Sequence, residues 1–367
     1  MSLSDSFSVL RPRIDEATAS SLAGLLARAG AGIRSEEFSE AVLASVVGGK
    51  RFRALMAHVG YCLGAHIPLE EVDIPDLGAA LELYQASALV HDDIIDNANE
   101  RRGMPTPHRT LAEHHARRSW IGSSTDFGRH GAILVGDFLF SAATAAADRQ
   151  ALRLGDERAE AFTRRFADMH AEVALGQYLD IAAEQAPLDP QRADALRTSD
   201  SLEVALHKSA HYSVVHPAIL GAICGADSVE AGAALADTLE EVLTPWGLAF
   251  QLRDDDLGVF GDPQVTGKPA GDDLREGKRT VLLALTWAAS SPAEREALTQ
   301  VLGVAAASPE QIARATQIVH SNGRGAHEEE ITRLVEEGHR ALDAAGFAPP
   351  ASAMLRELCL ILTSRRA

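Results

Sequence analysis

An all-α chain is predicted by three features of the sequence. Apolar residues recur at helical period through most of its length, Ala and Leu dominate the periodic stretches, and no run alternates apolar and polar residues as a half-buried strand does. The periodicity places helices at about 14 to 29, 36 to 47, 50 to 65, 74 to 97, 130 to 148, 157 to 184 and 191 to 206. Further helices follow at about 209 to 224, 228 to 258, 278 to 289, 310 to 320, 325 to 344 and 350 to 364. The breaks fall at GMPTPHR, IGSSTDFGRHG, QAPLDP and FGDPQVTGKPAGDD, all rich in the Gly, Pro, Ser and Asp that form turns. No tandem period emerges, and Ala-rich tracts such as SAATAAAD are ordinary helix formers.

With 367 residues, 46% of them hydrophobic, the chain can bury a large core, as a single all-helical domain or two closely fused ones; one domain over 1–367 is the expectation taken. Its 34 basic and 52 acidic residues give a net charge of −18, which argues against nucleic acid or an anionic membrane as a general partner. An anionic ligand must therefore be held by local basic clusters and metal. Cys62, Cys224 and Cys359 are odd in number and lack metal-type spacing, as reduced core thiols would. No unbroken apolar run approaches the ~20 residues of a membrane span, and the first residues lack the apolar core of a signal peptide. A cytoplasmic protein without a transmembrane segment is the expectation.

The segment DDIIDNANERRG, from Asp92 to Gly103, carries the most chemistry. Residues four apart on a helix share a face, so Asp92 and Asp96 point the same way, with Asp93 rotated aside. Like charges that close repel unless a cation lies between them. Hard carboxylate oxygens suit Mg²⁺, which completes its shell with water and substrate phosphates. Arg101 and Arg102 follow with planar forks that match phosphate oxygens. A lone aspartate-rich helix end is as often a solvated surface. Here, however, a second apolar helix closes on Asp254, Asp255 and Asp256 in WGLAFQLRDDDLGVFGD, with Gln251 one turn before Asp255. Lys50, Arg51 and Arg53 follow two glycines in GGKRFRAL, and Lys268, Lys278 and Arg279 lie in TGKPAGDDLREGKRT. Acidic helix ends and Gly-flanked basic loops in this order point to a metal-assisted diphosphate site, since bundle sites are built from facing helices.

These motifs, GGKRFR, DDIID with RRG, GQYLD at 176 to 180, Lys208 of HKSA and FQLRDD at 250 to 255, together resemble the trans-isoprenyl diphosphate synthases, the polyprenyl synthetase family. The likeness covers roughly residues 40 to 290 and is greatest to bacterial geranylgeranyl diphosphate synthases. It implies an isoprenoid-synthase-type helical bundle around a central active-site cavity, a homodimer, and condensation of isopentenyl diphosphate with an allylic diphosphate, assisted by about three Mg²⁺ ions. By the same resemblance Asp92 and Asp96 hold two ions and Asp254 a third, supported by Asp93 and Asp255. Arg101, Lys208 and Lys268 grip the allylic diphosphate, with Gln177, Asp180 and Gln251 beside the metal shell. Lys50, Arg53 and Arg102 hold isopentenyl diphosphate, completed by Gln85. Lys278 and Arg279 are either a diphosphate lid contact or a solvated helix start. His91 is expected to pack beside the aspartates, and Tyr178 and Phe250 to line the cavity or core. The chain departs from the pattern at Gly258, where the second motif usually ends in Asp, and at Ser209, where Thr is frequent.

In the family the growing chain runs beside the helix before the first aspartate, and bulky residues four or five positions back stop it early. Those positions are Ser87 and Ala88 here, with Tyr84 one turn deeper, at ~5.4 Å along the axis. The expected product is therefore the 20-carbon geranylgeranyl diphosphate, the alternative being 25 carbons or more with Tyr84 outside the tunnel. A class I terpene cyclase is disfavoured because none of Asn97, Asn99 and Asn322 begins the Asn/Asp, Ser/Thr, Glu series of its second metal motif. A head-to-head condensing enzyme has no use for GGKRFR, and a non-catalytic partner subunit would not keep both aspartate motifs.

Overall fold

The structure, a computed structural model, describes residues 2–30, 32, 35–261, 271–304 and 306–364. It is built from helices, which divide into two compact units, Met1–Phe166 with Pro217–Leu235, and Ala167–His216 with Ala236–Ala367.

The first unit holds α1 (Leu3–Arg28), α2 (Glu36–Ala44), α3 (Phe52–Ala65), α4 (Pro75–Ile95), α5 (Pro107–Arg117), α6 (Ser124–Ala151), the start of α7 (Asp156–Gln185), most of α9 (His216–Gly225) and the start of α10 (Val229–Phe260). α1 begins well before the predicted start near residue 14. Ser2 and Asp5 form a reciprocal capping box, and buried Leu3, Phe7 and Leu10 hold the first turns, so the helix runs through Pro12. α5 lies where a break was expected, with Pro107 at the helix start, where its missing N–H costs nothing. α6 starts at Ser124 because the Ser123 hydroxyl accepts from the Asp126 N–H. Between α4 and α5 the chain makes a hairpin of two-residue strands, β1 (Glu100–Arg101) and β2 (Met104–Pro105).

Inside this unit α4 packs on α1, α3 and α6. Leu77, Leu81 and Leu83 of α4 are buried, as are Leu10, Ile14, Leu22, Val135 and Leu139. α3 and α9 cross at backbone contact: a Cβ on Gly60 would lie 1.8 Å from the Ala218 carbonyl oxygen, and one on Gly221 1.9 Å from that of Ala57. Only glycine fits there. α6 is long and apolar enough to cross a membrane by length and composition alone, which the sequence reading did not anticipate, and 44% of its apolar window is buried within the protein.

The second unit holds most of α7, α8 (Thr198–Ala205), a π-helical segment (Leu206–Val215), most of α10, α11 (Asp272–Glu276), α12 (Val281–Ala289), α13 (Pro292–Thr299), α14 (Pro309–Asn322), α15 (Arg324–Ala345) and α16 (Pro349–Thr363). α8 is shorter than the predicted 191 to 206, and α13, opened by a Ser291–Glu294 capping box, was not predicted. Trp287 is fully buried among Leu282, Leu298, Ile312 and Val319, and its indole N–H donates to Arg192 O at 2.9 Å. The cysteines are free thiols, and burial pushes Cys62 and Cys359 up to about 11 and Cys224 to about 12.

Candidate active site

α4 ends at Ile95 with Asp96 as its C-cap, so Asp92, Asp93 and Asp96 occupy its last turn, and no basic residue of the helix lies there. The peptide dipoles already place partial negative charge at this end, which makes carboxylates costly unless a cation faces them. Arg101, on β1, supplies one: its Nε donates to Asp93 at 2.7 Å and its Nη2 to Asp92 at 3.0 Å. Asp93 is buried, and desolvation, opposed by Arg101 and aided by Asp92 and Asp96, raises its carboxyl to about 6. Asp92 and Asp96 stay half-exposed.

Arg102 turns the other way. Its left-handed backbone (φ 56°) sends the side chain over Gly49, and its Nη1 donates to Val47 O at 3.2 Å. Desolvation, then the charges of Arg51, Arg101 and Arg53, lower its basicity, so cations gather here as they do where an anion is to be bound. The basic residues of GGKRFR split in role. Lys50 is exposed and Arg53 half-buried, whereas Arg51 is buried, bonded to Asp15 (2.5 Å), Val46 O (2.7 Å) and Glu82 (3.4 Å). Arg51 thus holds the loop to α1 and α4. Gln85 and Ala88 are half-buried on α4, while the buried Ser87 donates its hydroxyl to Gly136 O at 2.8 Å. Tyr84, also buried, meets Phe140 of α6 edge-on with ring centroids 5.9 Å apart. His91 rests on Gly136, where a Cβ would come within 2.3 Å of its Nε2.

In the second unit Asp254, Asp255 and Asp256 sit near the end of α10 and differ in surroundings. Asp256 is buried and held by Arg324 at 2.9 and 3.0 Å, a structural pair. Asp255 is also buried and accepts from Gln251 at 2.7 Å; desolvation, then Asp273, raises its carboxyl well above the usual range. Asp254 is half-exposed. Asp180, buried on α7, takes the Lys208 ammonium at 2.5 Å and that of Lys278 at 3.5 Å, and Lys278 also reaches Glu184 at 2.8 Å. Burial alone would raise Asp180, yet the two lysines outweigh it and hold it low. Arg279 is not a solvated helix start: it is buried and donates to the carbonyls of Ala183 and Glu184 at the end of α7. Gln177 is half-buried beside Asp180's turn, and Phe250 is core, but Tyr178 is exposed at 66% and does not belong to the core. Lys268 lies outside the described residues.

Asp273 was missed by sequence reasoning. Its carboxylate fills the space beside Gly258, where an added Cβ would lie 1.9 Å from Oδ2. The signal was the second acidic pair in AGDDLREGK, downstream of a motif lacking its last aspartate. Asp254, Asp255 and Asp273 are an all-oxygen donor set, and burial, with the nearby Asp273 and Asp254 carboxylates adding to it, disfavours the charged form of Asp255. Such a set fits Mg²⁺, as does the carboxylate group closing α4.

The polyprenyl synthetase family matches residues 35–319. The chain is 32% identical over 316 residues to a geranylfarnesyl diphosphate synthase of Aeropyrum pernix, covering 86% of this chain and 88% of that one. It is 31% identical over 280 residues to a geranylgeranyl diphosphate synthase of Mycobacterium tuberculosis, covering 76% and 69%. Its fold matches the crystal structure of Corynebacterium glutamicum geranylgeranyl pyrophosphate synthase complexed with isoprenyl diphosphate and magnesium, with a TM-score of 0.83, 35% identity, and coverage of 96% and 99%. The family match spans the aspartate motifs, the basic loops and the π-helical segment alike, and the chain belongs to the polyprenyl synthetase family.

Proposed function

We propose that this protein, a trans-prenyltransferase, condenses isopentenyl diphosphate head-to-tail with an allylic diphosphate and releases a 20-carbon product. The observation that carries the division of labour is the opposed course of two consecutive residues. Arg101 bonds Asp92 and Asp93, while Arg102 lies over Gly49, next to Lys50. One diphosphate is met by acid and metal, the other by bare cationic charge.

In the reaction the allylic C–O bond breaks and its electron pair leaves on diphosphate. The double bond of isopentenyl diphosphate then attacks the carbocation, and the proton lost after C–C bond formation passes to the released diphosphate. Mg²⁺, when bound, supplies positive charge to the departing group. Asp92, Asp96 and Asp254 would hold about three ions between them, as the resemblance implies, with Asp93, Asp255 and Asp273 shaping the charge around them. Arg101, Lys208 and Lys268 grip the allylic diphosphate, and Lys278, through Asp180, sets the position of Lys208. Gln177 and Gln251 orient the donors beside them. Lys50, Arg53, Arg102 and Gln85 hold the non-ionising diphosphate.

Relatives named for 20- and 25-carbon products bracket the chain length, and Tyr84 supports the shorter. A longer product is the second reading, favoured by the contact of Tyr84 with α6. Apolar Ile133, Leu134 and Phe140 of α6, 43%, 58% and 40% exposed, support a homodimer through this helix. The family match, running across both compact units, supports one catalytic domain.

The test is incubation with labelled isopentenyl diphosphate and each allylic primer, followed by product sizing. Turnover should vanish in excess chelator, and Asp92→Ala or Asp254→Ala should lower kcat by about 10²-fold or more, the scale of ~3 kcal/mol of transition-state electrostatics. Full turnover without divalent metal would overturn the reading.

A further inference from the structure

Glu172, Gly176 and Asp180 lie at four-residue steps on α7, so they share the face that meets the π-helical segment. At Gly176 the two backbones touch, an added Cβ falling 2.4 Å from the Lys208 nitrogen. One turn in one direction, Asp180 takes Lys208. One turn in the other, Glu172 is surrounded by imidazoles. Its Oε1 lies 2.6 Å from Nδ1 of His207 and 2.6 Å from Nδ1 of His211, and its Oε2 lies 2.5 Å from Nε2 of His216.

The π-helical winding makes this cluster. His211 and His216 are five residues apart, and in an α-helix they would diverge by well over a quarter turn. Here the His216 N–H donates to His211 O, a five-residue hydrogen bond, and the wider turn brings both rings to one face. The ligand atoms of Glu172, His211 and His216 all lie within 4.8 Å of one another. Shifts on the order of an ångström bring them onto one ion with bonds of about 2.0 to 2.2 Å.

No step of the condensation uses these residues, and their chemistry differs from that of the aspartate clusters. Mg²⁺ takes oxygen ligands, whereas two imidazoles and a carboxylate suit zinc and its neighbours in the first transition row. Glu172 and His211 are partly open to solvent, with 19% and 17% of their side chains exposed, so an ion has a way in. We propose that Glu172, His211 and His216 form a site for a zinc-type transition metal, separate from the Mg²⁺ ligands. Its fourth position is open to His207 or water. The ion enters as M²⁺ and changes no oxidation state, and the protons that the imidazoles donate to Glu172 move to the opposite ring nitrogens or are released to water. Once bound it staples α7 to the segment that carries Lys208.

The experiment titrates chelator-treated full-length protein with Co²⁺ in saturating Mg²⁺, read by visible absorption, with dialysis and metal analysis for stoichiometry. One Co²⁺ per chain with the intense bands of low-coordinate geometry is expected. Glu172→Gln and the His211→Ala, His216→Ala double variant should weaken binding by about 10²-fold or more, and an Asp92→Asn, Asp254→Asn variant should keep it. No binding at micromolar Co²⁺, retention in the histidine variant, or loss in the aspartate variant overturns the proposal. X-ray absorption of the wild-type zinc form needs no variant: imidazole scattering supports the site, and an oxygen-only shell overturns it.

Discussion

The guanidinium of Arg102 lies over Gly49, so close that a Cβ on the glycine would sit 2.9 Å from Arg102 Nη2. Gly49 also has φ +100°, a conformation costly for any residue with a side chain. Gly49→Ala should therefore displace Arg102 and raise KM for isopentenyl diphosphate at least 10-fold, with KM for the allylic primer within about twofold. Gly48 offers the control. It has φ +72°, but its Cβ would stand 4.0 Å from Arg102 Cδ, so Gly48→Ala strains the loop without moving the guanidinium. Equal KM effects from the two variants would show that strain alone is at work. Lys50→Ala and Arg53→Ala should share the isopentenyl-side signature, and Lys268→Ala should act on the allylic side.

Asp273 occupies the place beside Gly258, and this predicts the outcome of restoring the missing aspartate. Gly258→Asp should lower kcat and stability, because the new side chain meets the Asp273 carboxylate. Asp273→Asn should lower kcat by about 10-fold or more, with the larger effect at low Mg²⁺. In Asp273→Gly, adding Gly258→Asp should recover part of the loss. Steady-state kinetics across a Mg²⁺ series decides this, and a Gly258→Asp enzyme faster than wild type would exclude the substitution by Asp273.

Helical period and the five motifs make the fold class and the two aspartate clusters legible in the amino-acid sequence. What escapes it is of a different kind. The expected helix start near 14 falls short because a capping box and buried apolar residues begin α1 at Leu3, and Pro107, read as part of a break, stands at a helix start where its missing donor costs nothing. The π-helical segment is invisible to a 3.6-residue template, and so is the grouping of Glu172 with three histidines. Arg51 and Arg279 look like their neighbours Lys50 and Lys278 in the sequence, and only their burial and their bonds to backbone carbonyls mark the two arginines as anchors. Asp273 is hidden because its partner in space is a glycine.

Acid should destabilise the fold through His58. The ring is 4% exposed, with Nδ1 2.7 Å from Ala54 O, and burial pushes it down to about 4 despite that contact. The unfolded chain binds this proton near pH 6.5, whereas the folded one does so only near pH 4. Between those values the unfolded state holds more protons, so stability falls as pH falls. At pH 5 the loss from this residue is about 2 kcal/mol. Denaturant midpoints at pH 7.5 and 5 should show it, and His58→Gln should flatten the slope. An unchanged slope in that variant would place the acid sensitivity elsewhere.

Tyr84 is the proposed floor of the product tunnel, and its neighbours sharpen the test. The ring is buried against Phe140, and burial raises its hydroxyl to about 12. Tyr84→Ala removes the ring without touching the aspartates or basic loops, so condensation should continue and the main product should move from 20 towards 25 or 30 carbons. Ser87→Phe should move it towards 15. Because the Ser87 hydroxyl is bonded to Gly136 O, a phenyl ring there presses on the α6 backbone as well as on the product. That overpacking should cost on the order of 1 to 3 kcal/mol in denaturant midpoint, a penalty Tyr84→Ala would not share by the same cause. Phe140→Ala separates the remaining possibilities. If the Tyr84–Phe140 pair forms the floor, either truncation lengthens the product; if Tyr84 only fills the α4–α6 interface, both destabilise the protein and leave the product distribution unchanged.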